Sequence, residues 1–174
     1  LWSLENVTHV IHLAGANIAE KRWTTERKKE IIDSRVESAN VLFDIFKKHG
    51  RHIESFISCS AVGIYGYSTE RDTVFDEQSP SSDDFPGNVC KRWEQAADKF
   101  SSLGARVVKL RLGVVLSGDG GAFMKIAKPI SMGIGSPVGT GTQYIPWIHI
   151  EDVIGVMLDA IDNKNFVDAY NLVA

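Results

Sequence analysis

Phe56-Ile-Ser-Cys-Ser-Ala-Val-Gly-Ile-Tyr-Gly66 is the stretch whose reading decides the fold. It opens as a short apolar run with a β-branched residue and no turn former, the pattern of a central, doubly covered strand. Ser58, Ser60, Ala61 and Gly63 then keep the space above its carboxyl end clear. In an open parallel sheet, ligands bind outside the carboxyl ends of the strands. Ser60 presents a hydroxyl there, able to donate to a substrate oxygen and to accept from a catalytic neighbour. A Ser-rich strand end with internally satisfied hydroxyls fits the same residues, so the flanking sequence has to decide.

On the amino-terminal side, residues 7–13 read as a buried strand ending at Ala14-Gly15-Ala16, where small side chains let a flat ligand lie close to the backbone. His9 and His12, three apart on a strand, face opposite sides and make no metal pair. From Thr25 the period changes: Ile31, Ile32, Val36, Ala39, Leu42, Phe43, Ile45 and Phe46 recur at helical spacing until Gly50, with Lys47, Lys48 and His49 at the negative end of the helix dipole. A helix between two strands that both need burial is a parallel crossover. The second strand is expected over 53–58.

On the other side, residues 67–87 carry Asp72, Asp76, Glu77, Asp83 and Asp84 among Ser, Thr and Pro, a composition that predicts a long exposed loop on the substrate side. A helix is expected over 88–103, with Val89, Trp93, Ala96, Ala97 and Phe100 on one face and Gly104 closing it. A strand over 106–112 leads to Gly113-Val-Val-Leu-Ser117 and the turn Gly118-Asp-Gly-Gly121, which matches neither a P-loop nor G-x-G-x-x-G. Beyond it lie a helix over 122–132 interrupted by Pro129, a loop over 133–141, an edge or irregular strand over 144–150, an amphipathic helix over 152–162 and a strand over 170–173. Strands alternating with helices predict an α/β fold: a Rossmann-like, doubly wound parallel sheet in a single domain over 1–174, with substrate-side elements in 67–87 and 118–150.

Composition narrows the classes of function. A chain of 174 residues with 44% hydrophobic and 24% charged residues suits one soluble globular domain. The net charge of −3 and the lack of a basic cluster beyond the helix face at 21–29 ask for neither nucleic acid nor an anionic membrane. No apolar run approaches the ~20 residues of a membrane span, and no signal-peptide pattern opens the chain. Cys59 and Cys90 lack metal-ligand spacing and fit a reducing, cytoplasmic setting. Residue 1 is Leu and a strand follows almost at once, so a piece of a longer polypeptide is expected.

Five landmarks in order, Ile11-His-Leu-Ala-Gly15, Phe56 to Gly66 as quoted, Val89-Cys-Lys-Arg-Trp-Glu94, Leu110-Arg-Leu-Gly-Val-Val-Leu116 and Trp147-Ile-His-Ile-Glu-Asp-Val153, resemble the extended short-chain dehydrogenase/reductase superfamily. Within it the chain is most similar to the atypical "epimerase family" branch of nucleotide-sugar epimerase-like proteins. The resemblance implies an NAD(P)(H) cofactor, NADP favoured over NAD, and a small polar or nucleotide-linked substrate. It implies that Ser60 is the catalytic-site serine, with a following loop one residue longer than in typical epimerases. Ala14 and Gly15 then line the adenosine-ribose side, and Ser58, Leu112, Gly113 and Val114 the nicotinamide side. It also implies that the family's first strand and Gly-rich dinucleotide loop lie upstream of Leu1, which leaves an apolar sheet edge exposed. A homodimer through the helices at 26–48 and 88–103 is part of the same implication.

One departure bears on chemistry. The superfamily's Tyr-x-x-x-Lys pair, in which Lys lowers the Tyr pKa, is missing. Aligned on Trp93 and Glu94, the Lys place falls to Cys90 and the Tyr place to Pro86, with Phe85 beside it. Lys91 lies about 100° away round a helix. Arg35 falls where the superfamily often has Asn, and a helix-surface or structural pair suits it equally. Cys90 near Lys91 and Arg92 is either a thiol of lowered pKa or a buried inert one. Tyr65 reads as packing, and Asp152 as a cap or first-turn anion rather than an acid-base partner of His149. Two functions remain: an NAD(P)(H)-dependent oxidoreductase or nucleotide-sugar epimerase/dehydratase-like enzyme, and a non-catalytic protein that binds or senses NAD(P)(H).

Overall fold

The computed structural model describes residues 6–66, 73–135, 141 and 143–174. Four strands, β1 (His9–His12), β2 (Ser55–Ala61), β3 (Arg106–Leu112) and β6 (Asp168–Leu172), form one sheet in the order β1-β2-β3-β6 with every pair parallel. The register sets Ser58 between His12 and Lys109, and Ser60 beside Arg111. A second, two-stranded parallel sheet joins β4 (Val114–Ser117) to β5 (Trp147–His149).

Helices α1 (Thr25–Lys48) and α2 (Phe85–Asp98) pack together, while α3 (Gly121–Ser131) lies on β4 and α4 (Ile150–Asp162) on β2, β4 and β5. The alternation of strand side chains sorts the core in two. Phe56 and Val107 join Ala39, Phe46, Ala96 and Phe100 from the α1–α2 layer, and the rings of Phe56 and Phe100, both fully buried, stack 3.7 Å apart. Burying a Phe is worth about 1.5–3 kcal/mol, so this pair anchors that face. Ile57, Cys59, Val108 and Leu110 instead meet Ile148, Val153, Met157 and Ala160 beneath α4. The sheet is thus covered on both faces, as a doubly wound fold requires. β1 is an edge strand, and Ile11 and Leu13 stay exposed along it.

Several boundaries differ from the sequence reading for local reasons. The central strand runs over Ser55–Ala61 rather than 53–58, because its hydroxyl-bearing half keeps pairing with β3 before a 3-10 turn over Val62–Tyr65. α2 starts at Phe85, three residues early: Asp84 Oδ1 accepts from Gly87 N at 2.8 Å, and Pro86 sits in the first turn, where its missing N–H loses nothing. Asp84, expected as loop charge, is therefore a helix cap. α2 gives way at Lys99 to a 3-10 turn that ends at left-handed Gly104, φ 79°. Pro129 lies inside α3 without ending it. Residues 67–72, Asp72 among them, and 136–140 of the expected loops fall outside the described residues.

Candidate functional site at the carboxyl ends of the parallel strands

The carboxyl ends of β1, β2 and β3 bring Ala14, Gly15, Ala61 and Leu112 to one edge of the sheet. Ala14 and Gly15 are exposed there, as a ligand shelf needs. Ser58 lies deeper: it is 1% exposed, paired with His12 in mid-sheet, and its hydroxyl donates to the Cys59 carbonyl at 3.0 Å. Gly113 is small for a packing reason as well, since an added Cβ would lie 2.8 Å from the Pro146 carbonyl oxygen. Gly113 N donates to Leu172 O and Val114 N to Pro146 O, which fixes the step from the large sheet to the small one.

Ser60 is 2% exposed, and its Oγ donates to Glu94 Oε1 at 2.7 Å. Glu94 is in turn held by Arg111 at two points, and Arg111 Nη1 donates to the Tyr65 hydroxyl at 2.8 Å. That hydroxyl donates to Asn171 Oδ1 at 2.7 Å, and Asn171 N donates to Glu77 Oε1 at 2.7 Å. The Tyr65 ring stacks on Phe75 with centroids 5.2 Å apart. One chain of hydrogen bonds, all but the Tyr65–Asn171 link charge-assisted, therefore ties β2, α2, β3, β6 and the acidic loop together behind Ser60. The hydrogen bonds to Glu94 and to the Tyr65 hydroxyl, with the Glu94 charge behind them, hold the Arg111 guanidinium above its ordinary pKa against its burial.

Cys90 occupies the Lys place of the resembling family as a buried thiol. Burial, with the Glu94 charge second, pushes its pKa up to about 11, so it is neutral and inert near neutral pH. Pro86, in the Tyr place, is built into the first turn of α2. Lys91 instead faces Asp83 at 3.6 Å. His149 caps α4, its Nδ1 accepting from Glu151 N at 3.3 Å, and Asp152 is a first-turn anion. Among the described residues no group of three His, Cys, Asp or Glu side chains could hold a metal ion, and no helix is long and apolar enough to cross a membrane.

Arg35 is half-buried, and no carboxylate pairs with it among the described residues. Its Cζ sits 4.8 Å from the Trp93 ring centroid, and Nη1 donates to the carbonyls of Ala16 at 3.1 Å and Ile31 at 2.9 Å. Trp93 Nε1 donates to His12 Nδ1 at 3.4 Å, and His12 Nε2 meets Ser38 Oγ at 2.8 Å. Burial lowers the His12 pKa, so the ring is neutral, and acceptance at Nδ1 places its proton on Nε2. The exposed small residues and a cation without a carboxylate at one sheet edge fit a flat, anionic dinucleotide.

Composition and periodicity did not single out Glu94, Arg111 or His12. The signal was present in Arg106-Val-Val-Lys-Leu-Arg-Leu112, a central strand with cations at alternate positions 109 and 111. Charges facing inward on a central strand require partners. Here Arg111 meets buried Glu94, while Lys109 reaches the rim of the sheet to meet exposed Asp98 and Asp168.

The model of the NAD dependent epimerase/dehydratase family matches residues 2–172. The chloroplastic SDR39U1 homolog of Arabidopsis thaliana, an epimerase family protein, is 34% identical over 168 residues, 97% of this chain and 48% of that protein. An epimerase family protein of Staphylococcus aureus is 35% identical over 176 residues, 98% of this chain and 56% of that one. The chain spans about half the length of these curated relatives. The crystal structure of human epimerase family protein SDR39U1 with NADPH matches with a TM-score of 0.85 at 33% identity, covering 96% of this chain and 57% of that one. A chain that carries the landmarks in order, the doubly wound sheet and a family match over nearly its whole length belongs to the NAD dependent epimerase/dehydratase family.

Proposed function

We propose that this chain is the substrate-side part of an NAD(P)(H)-dependent oxidoreductase or nucleotide-sugar epimerase-like enzyme, acting on a small polar or nucleotide-linked substrate. Ala14, Gly15, Leu112, Gly113 and Val114 line the dinucleotide, with Ser58 supporting that wall from below. Bound NAD(P) supplies hydride transfer. The single observation that carries the reading is the 2.7 Å bond from Ser60 to Glu94. It satisfies the hydroxyl proton internally, as a structural Ser would also do, and leaves Ser60, 2% exposed at the strand end, only a lone pair with which to accept from a substrate hydroxyl. A solved relative at 33% identity contains NADPH, which supports the same cofactor here, with NADP favoured. Free, buried Cys59 and Cys90 agree with a reducing compartment.

A second reading, a protein that binds NAD(P)(H) without turning it over, is favoured by one fact: Cys90 and Pro86, in the Lys and Tyr places, transfer no proton near neutral pH.

The test is a fluorescence titration of NADPH and NADH into the full-length protein, followed by hydride-transfer assays with ketones, aldehydes and nucleotide sugars. Saturable binding with turnover supports the enzyme. Binding without turnover across the panel supports the second reading, and no binding rejects both.

A further inference from the structure

We propose that Arg35 is an anion-recognition residue: the free edge of its guanidinium, beside Gly15 at the carboxyl end of β1, takes a phosphoryl oxyanion of the ligand. The charge on this side chain is uncompensated. Arg27 on the same helix is paired with Glu20 and Glu30, and Arg111 with Glu94, whereas no carboxylate meets Arg35 among the described residues. Burial and repulsion from Arg27 both act against its charged form, and the Cys90 thiol beside it is neutral. A guanidinium stays charged in any protein setting, so a half-buried one without a counter-ion leaves a field that a ligand anion can fill.

The group is also held in place. Its flat face lies on Trp93, and Trp93 is itself fixed through His12 to Ser38 on α1. Nη1 is used by the two carbonyls, while Nη2 and Nε have no partner among the described residues and are not among the buried atoms that lack one, so this edge faces solvent. Gly15 packs over a face of the guanidinium and not over this edge: a Cβ there would lie 2.9 Å from Cζ, closer than the 3.1 Å to Nη2 and 3.2 Å to Nε, so a glycine is what lets the group sit so close to β1. Two parallel N–H donors on one planar edge match two oxygens of a phosphoryl group. The proposed function enters only in naming the source, because a dinucleotide cofactor and a nucleotide-linked substrate both carry diphosphate.

The test uses full-length wild-type protein, R35Q and R35K in calorimetric titrations with NADPH, with inorganic pyrophosphate, and with UDP added to the cofactor-loaded protein. If the cofactor is the source, R35Q weakens NADPH by about 10- to 100-fold, the range of lost charge-assisted hydrogen bonds. If the substrate is the source, NADPH is held within about twofold while UDP and pyrophosphate weaken by about tenfold or more. R35K keeps the charge and loses the fork and the stack, so it falls between wild type and R35Q, and it serves alone if R35Q fails to fold. Wild-type affinity in R35Q or R35K for every probe, or no binding of any probe by the wild type, overturns the proposal. A wild type that binds pyrophosphate in an Arg35-dependent way but not NADPH rejects the proposed cofactor and keeps the anion site.

Discussion

Glu94 and Arg111 meet across the α2–β3 interface at two points, Nε to Oε1 and Nη2 to Oε2, each 2.9 Å, with both side chains only 10% exposed. Such a pair adds little net stability over an apolar one, yet removing one member strands the other charge in the interior. E94Q is therefore expected to lower unfolding stability by about 3–5 kcal/mol, measured by urea denaturation. The E94Q/R111M double variant should lose clearly less than the sum of the single losses, and strict additivity would show that the pair is not coupled.

S60A separates support from chemistry. Arg111 still satisfies Glu94, so stability should fall by only about 1 kcal/mol. Once a hydride-transfer substrate is found, kcat should fall by about 100-fold, the scale of a lost partner in proton handling. An unchanged kcat would remove Ser60 from the reaction.

The two thiols should be silent. Burial pushes Cys59 and Cys90 up to about 11, from an unfolded value of 9.0. At pH 8 the thiolate fraction is then about 100-fold below that of a free cysteine, and burial slows attack further. Labelling by a disulfide reagent should become fast only in denaturant. Because both folded values are raised, the protons stabilise the fold fully below pH 9.0 and this contribution is lost as the pH climbs towards about 11.

His12 gives the opposite dependence. Its folded pKa is lowered from 6.5 by burial, so its contribution is present above pH 6.5 and is lost as the pH falls through the lower folded value. Thermal melts from neutral to mildly acidic pH should show wild type losing stability where H12Q, which does not titrate, loses less. Parallel curves for the two proteins would contradict the neutral assignment.

Two glycines should respond to alanine in opposite directions. G113A drives a Cβ to 2.8 Å from the Pro146 carbonyl oxygen and 3.0 Å from Trp147 N, backbone atoms held by the β4–β5 sheet, and should destabilise by about 1–3 kcal/mol. Gly155 lies inside α4 with nothing within 4 Å of an added Cβ, and G155A should stabilise by about 0.5–1 kcal/mol. Denaturant midpoints for the two variants decide both.

The sequence by itself determined the elements and their order. The 3.6-residue period of α1, the apolar runs of β2 and β3 and the glycines at 50 and 104 are local signals, because helix burial and left-handed backbone are decided within a few residues. Family membership was legible for a related reason, since its landmarks are contiguous segments at strand ends. What sits behind those ends was decided only by the tertiary structure. Ser60 and Glu94 are 34 residues apart, Tyr65 and Asn171 106 apart, and Trp93 and His12 81 apart. Each bond exists because parallel crossovers bring distant strands into register and α2 lies across them, a pairing that no local spacing encodes. Arg35 is the clearest case: on one helix it is an ordinary cation, and only Trp93 beneath it and the bare Gly15 beside it make it a fixed and uncompensated charge.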